Sequence, residues 1–357
     1  MAPVGEPGPI LATLRRCGNM AAAGATTLTL TRPGRIRSAP LTSAELPLLT
    51  IGLLPVAVLA LGHLLFDVVG LPFARHAMEL VSRFGGKVPA DLAIETGKVW
   101  AATAFLYLVV GCGALGFLVH LLRSRVRGQA AIPFLGLAVL LVAIGVAHLL
   151  RVDSQRQPLS AIFYLTFDSL GRTGLLESAR LAGVRRILDV INLMSVAVPA
   201  VFCAFLPASL LRPPQGWTGD VLAGRIKDGR QFVVIASAFL VAGVLHMYAW
   251  LQWSTVLLMR KELAPLATSI TFYWSCVFTT MIAALYIPLL VILHARAEML
   301  MDRMEVPVAA RRQWLTDHGL SYSAISQLPQ LAAIFAPLLS TPFSQLLRIV
   351  PLEALTG

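Results

Sequence analysis

The stretches Gln231–Leu258 (QFVVIASAFLVAGVLHMYAWLQWSTVLL) and Ser269–His294 (SITFYWSCVFTTMIAALYIPLLVILH) decide the fold. Each is longer than the roughly 20 apolar residues that cross a bilayer core as an α-helix, and neither contains Lys, Arg, Asp or Glu. The short charged turn Met259-Arg260-Lys261-Glu262-Leu263-Ala264-Pro265 joins them, which predicts a transmembrane helical hairpin. Tyr248, Trp250, Trp253, Tyr273 and Trp274 all fall towards that turn, so their rings are expected at one headgroup boundary.

Working outward, the whole chain has the same character. It is 57% hydrophobic and 13% charged, with mean hydropathy +0.76, more apolar surface than a water-soluble domain can hide. The predicted class is all-α, a polytopic integral membrane protein. A net charge of +11 raises nucleic acid as a partner, but the basic residues stand at the ends of apolar runs, where topology and lipid headgroups account for them. Cys17, Cys112, Cys203 and Cys276 show neither CxxC spacing nor a disulfide framework.

Residues 1–41 are rich in Gly, Pro, Ala, Thr and Arg without sustained apolar periodicity, and are expected to be a basic disordered tail. Six spans are predicted over residues 42–294, at about 46–69, 98–120, 132–150, 187–211, 231–258 and 269–294. Thr42 and Glu45 have the spacing of a capping box before the first span, and Pro55 predicts a kink in it. Residues 73–84 suit an amphipathic helix, and Leu159–Phe167 is too short to cross. Residues 295–357 are expected to form a cytoplasmic amphipathic helical tail lying on the inner leaflet or under the bundle, with a seventh tilted span from Ile325 as the competing reading.

Orientation follows from basic residues, which are retained on the cytoplasmic side. With six spans and an inside amino terminus, 17 of the 29 Lys and Arg fall inside and 12 outside. Both termini are therefore expected to be cytoplasmic, in a plasma membrane or bacterial inner membrane.

The candidate site rests on depth. His63, His148 and His246 all fall in the outer half of their spans, Asp67 lies one turn after His63, and Asp189, Asn192 and Ser195 run down one face of the fourth span. Ionisable groups inside spans are costly in lipid and face a bundle interior or wet cavity, so His63, Asp67, His148, Asp189, Asn192 and His246 are expected to converge on an outward-facing polar site. A bland reading competes, because Asp189 opens its helix, where the dipole favours a carboxylate, and His148 can reach the headgroups.

That site makes a transporter or channel-like permease for a small solute or ion the leading expectation. A signalling or scaffold protein, recruiting a protein partner through its carboxy-terminal tail, comes second. A b-type haem protein comes third, with His63, His148 and His246 as an outer ligand set and His120 and His294 as an inner one. No cofactor is otherwise indicated. The string Gly111-Cys112-Gly113-Ala114-Leu115-Gly116 matches GxGxxG but lies inside a span without a preceding strand, so small-residue helix contact explains it. Thr268, Thr271, Ser275, Thr279, Ala283 and Tyr286 form a small or polar stripe, and with Ala236, Ala242 and Gly243 it suits close helix packing; a pore lining would use the same residues. Pro55 and Pro199 sit at similar places in two three-span halves, a plan compatible with inverted halves but without a residue-level repeat. No metal-ligand spacing, nucleophile elbow or phosphate loop survives its context, so no catalytic residue is assigned.

Overall fold

The computed structural model describes residues 48–82, 90–126, 128–150, 158–213, 216–260, 263–318, 320 and 324–344. These fall within one unit, 39–357. The basic tail expected over 1–41 lies outside the described residues, as do Thr42 and Glu45.

All described secondary structure is helical. One turn, Leu48–Ile51, precedes α1, Leu53–Ser82; there follow α2, Ala90–Arg125; α3, Ile132–Leu150; α4, Pro158–Thr173; α5, Ser178–Phe205; α6, Gly219–Leu257; α7, Leu263–Arg303; α8, Val308–Asp317; and α9, Ala324–Ser344. Among the described residues six helices are long and apolar enough to cross a membrane, namely α1, with the turn before it, α2, α3, α5, α6 and α7. They fit a polytopic membrane protein.

The third span has the bounds its sequence predicts, but most others run further. α6 begins at Gly219, where Thr218 accepts a hydrogen bond from the Val221 amide (3.3 Å) and Asp220 occupies the first turn. Its 39 residues extend about 58 Å, roughly twice the hydrocarbon thickness. Arg225, Lys227, Asp228 and Arg230 therefore belong to the same helix as the apolar run. Hydropathy sees the run alone, whereas a helix satisfies its own backbone in lipid and in water alike. By the same continuation, residues 73–82, expected as a separate amphipathic helix, are the end of α1; Phe84 lies outside the described residues. The interruption near Pro55 falls at Gly52, whose Cα packs against the Cys203 carbonyl where no side chain would fit.

α6 is the hub. It packs against α2, α4, α7 and α9, whereas α3 leans mainly on α5 and α1 on α4 and α7. Leu61, Leu64, Leu65, Val68 and Val69 of α1 and Leu135, Val139, Leu140 and Ile144 of α3 remain exposed, an apolar surface that fits a membrane protein. The bundle has two chemically distinct ends. One carries Trp100, Trp250, Trp253 and Trp274; the other carries Arg125, Arg225 and Arg296.

At the tryptophan end the rings do not lie on the protein surface as the expected headgroup belt. Trp100, Trp250, Trp253 and Trp274 are each at most 4% exposed. Trp100 lies 5.1 Å from Trp250 and 5.5 Å from Trp253, because their large faces gain more from packing on one another across α2 and α6. Gly97 permits this, since a Cβ there would come within 2.7 Å of the Trp253 ring. The short helix α4 buttresses the same end, with Thr166 donating to the Trp250 carbonyl at 2.7 Å.

In the carboxy-terminal region α7 ends at Arg303, and α9 runs against α6 and α7, burying Ile334, Ser340 and Thr341. The polar stripe on α7 receives it, as Thr271, Ser275 and Thr279 are buried and the Ser275 and Thr341 hydroxyls lie 2.8 Å apart. Small and hydroxylated residues let the helices approach closely and hydrogen-bond. Its apolar part, Leu328–Pro342, is shorter than a full crossing.

Candidate functional site

Two histidine centres occupy the tryptophan half. The first joins α1, α3 and α7. Tyr273 donates a 2.7 Å hydrogen bond to the Gly62 carbonyl, fixing α1 against α7 and setting His63 beside Trp274 at a ring separation of 4.7 Å. On its other side His63 meets the edge of His148, from α3, at 5.9 Å. Asp67, one turn along α1, is close enough to act electrostatically on both His63 and Tyr273. Thus His63, Asp67 and His148 come together, with His63 half-buried and the other two exposed at the edge of the bundle. Imidazole changes charge between about pH 5 and 8, so two imidazoles beside one carboxylate can take up and release protons or attract a cation.

The second centre is inside. His246 of α6 is 3% exposed and stacks on Tyr107 of α2 at 5.8 Å, with Trp100 at 6.2 Å. Gly243 makes room, since a Cβ there would meet the Tyr107 ring at 3.2 Å. The Tyr107 hydroxyl lies 2.8 Å from that of Ser195, which also reaches the Ile191 carbonyl at 2.9 Å. Pro199, four residues on, supplies no amide to the Ser195 carbonyl, so this part of α5 is locally polar. Both ring nitrogens of His246 and the indole nitrogens of Trp100 and Trp253 have no hydrogen-bond partner among the described residues. Buried polar atoms of this kind suit ordered water or a small polar solute.

The structure therefore brings half of the expected set into one cluster. His246 has a different set of neighbours, although it lies in the same half. Asp189 is exposed on α5 and Asn192 is half-buried beside it; neither adds to the His63 cluster. The inner histidines are apart from both centres in their contacts: His120 is exposed on α2 and His294 faces Glu298 of its own helix at 3.3 Å. Among the described residues no three of His, Cys, Asp and Glu form a metal-binding group. A small apolar cavity of about 20 Å³, lined by Pro199, Phe202, Phe239 and Ile282 among others, is too small and too apolar for a polar solute.

Sequence reading missed Trp274 and Tyr107 as histidine neighbours. Tyr107 had a signal, being a hydroxyl two turns from Trp100 in an apolar run; the role of Trp274 depends on helix rotation. The GxGxxG string is continuous helix, as its context demanded, but only Gly111 makes a helix contact, 3.3 Å from Phe239 as a Cβ; Gly113 and Gly116 face open space. No family model, curated protein or solved structure matches the chain.

Proposed function

We propose that the protein is a proton-coupled transporter or channel-like permease for a small solute or ion, with His63, Asp67 and His148 as its protonatable site. The contact of the His63 and His148 rings carries this reading. Two imidazoles from helices far apart in the chain meet beside a carboxylate, within apolar segments where ionisable groups are costly. The buried His246, Tyr107 and Ser195 group extends polar character from that half towards the middle of the bundle. The basic-residue bias makes the arginine end cytoplasmic, in a plasma membrane or bacterial inner membrane, and turns the histidine centres outward.

The test uses the full chain in sealed vesicles under an imposed membrane potential, with an entrapped pH-sensitive dye. Wild-type protein gives a pH-dependent proton flux, which His63→Ala and Asp67→Asn each abolish. Flux unchanged in both variants removes the site. An absorbance spectrum of the purified protein is the complementary measurement, because a Soret band would replace this reading with that of a b-type haem protein.

A further inference from the structure

The opposite end of the bundle holds a group of charged side chains apart from the histidines. Arg225 projects from the polar first third of α6 and is 4% exposed, yet its Nε and Nη1 meet no acceptor among the described residues. The charged groups near enough to act on it are Arg125, Asp228 and Arg296. Asp228 is already engaged, since Arg125 of α2 approaches its two carboxylate oxygens at 2.9 and 2.7 Å. Arg296 of α7 donates to the Leu210 carbonyl and stacks over Trp217 at 4.4 Å. Arg225 thus has two further guanidiniums and a single carboxylate, already paired with Arg125, as its charged neighbours. A buried guanidinium with unmet donors is strongly unfavourable unless an acceptor of opposite charge meets it.

Position adds to the charge argument. Arg225 lies six residues before the apolar run that opens at Gln231, Arg125 is the last residue of α2, and Arg296 follows the run that closes at His294. All three therefore stand at or just beyond the ends of the apolar runs at one end of the bundle, where a bilayer would place its lipid phosphates. Arg125 and Asp228 keep partly exposed side chains, which leaves an approach from outside. Guanidinium offers planar paired donors that match phosphate oxygens.

We propose that Arg125, Arg225 and Arg296 form a binding site for a phosphate oxyanion between α2, α6 and α7, with Asp228 orienting Arg125 at its rim. The same chemistry could come from an anionic phospholipid headgroup or from free phosphate. Thermal unfolding of the delipidated full-length protein in an uncharged detergent distinguishes them. One arm adds phosphatidylglycerol, a second adds inorganic phosphate, and a control adds chloride at equal ionic strength.

A bound anion at saturating concentration raises the wild-type unfolding temperature by about 5 °C, and chloride does not. A shift with phosphatidylglycerol alone assigns the site to lipid; a shift with phosphate assigns it to the free anion. Arg225→Gln loses the shift, and without anion it is at least as stable as wild type because an unpaired buried charge has gone. Arg125→Gln, at a partly exposed position, weakens the response to anion and serves where Arg225→Gln does not fold. No shift in either arm, or an equal shift in both variants, overturns the proposal.

Discussion

At the scale of single residues, hydroxyls on α7 and α9 do measurable work. Thr341→Val keeps shape and removes the contact to Ser275, whose hydroxyl retains the Thr271 carbonyl at 2.7 Å. Ser275 keeps its acceptor, and the bond between the two hydroxyls contributes about 0.6 kcal/mol. Unfolding of the purified variant measures it, and adding Ser275→Ala should cost less than the sum of the two. Asp168 gives a pH prediction at the same scale. Burial on α4, against the weaker pull of Arg172, holds its carboxyl above the ordinary carboxylate range. The folded state then binds the proton more tightly than the unfolded chain, so stability falls as pH rises from the ordinary value through the raised one. Asp168→Asn removes that fall: above the window the variant is more stable than wild type, and the difference vanishes at low pH. Melting curves across that range check it.

At the scale of elements, the tryptophan end depends on α2 and α6 approaching closely at Gly97. Gly97→Ala puts a methyl into the Trp253 ring, which is packed against Trp100, and should destabilise by about 1 to 3 kcal/mol. Indole fluorescence would report the displaced ring along with the lower melting temperature. α9 gives the stronger test of architecture. A free docking tail could be deleted after Glu305 without loss, but α9 buries Ile334 and Thr341 against α6 and α7. Truncation at Glu305 is expected to lower stability and expose the Thr271 and Ser275 stripe. A truncated protein as stable as the full chain would return α9 to the role of a recruitment tail.

At the scale of the whole molecule, α6 carries the chain from the arginine end to the tryptophan end and α7 carries it back. In a cysteine-free background, Ser124→Cys and Arg260→Cys should therefore react with a water-soluble maleimide from opposite sides of sealed vesicles. Labelling of both from one side would contradict a bundle threaded through the membrane. The two ends also divide the chemistry: imidazoles and indoles gather at one, guanidiniums at the other.

The helical class, the six apolar helices and the half of the bundle that holds His63, His148 and His246 were legible in the sequence, because run length and the absence of charge are properties of local composition. Depth could be read by counting residues along each run. Rotation about each helix axis could not. With nearly every face apolar, no periodic signal says which side meets a neighbour, so the contact of His63 with His148 and Trp274, the stacking of His246 on Tyr107 and the burial of the tryptophans were decided only by packing between helices. The packing of α9 on α6 and α7 and the gathering of Arg125, Arg225 and Arg296 follow the same reason, since both depend on which helices become neighbours around α6.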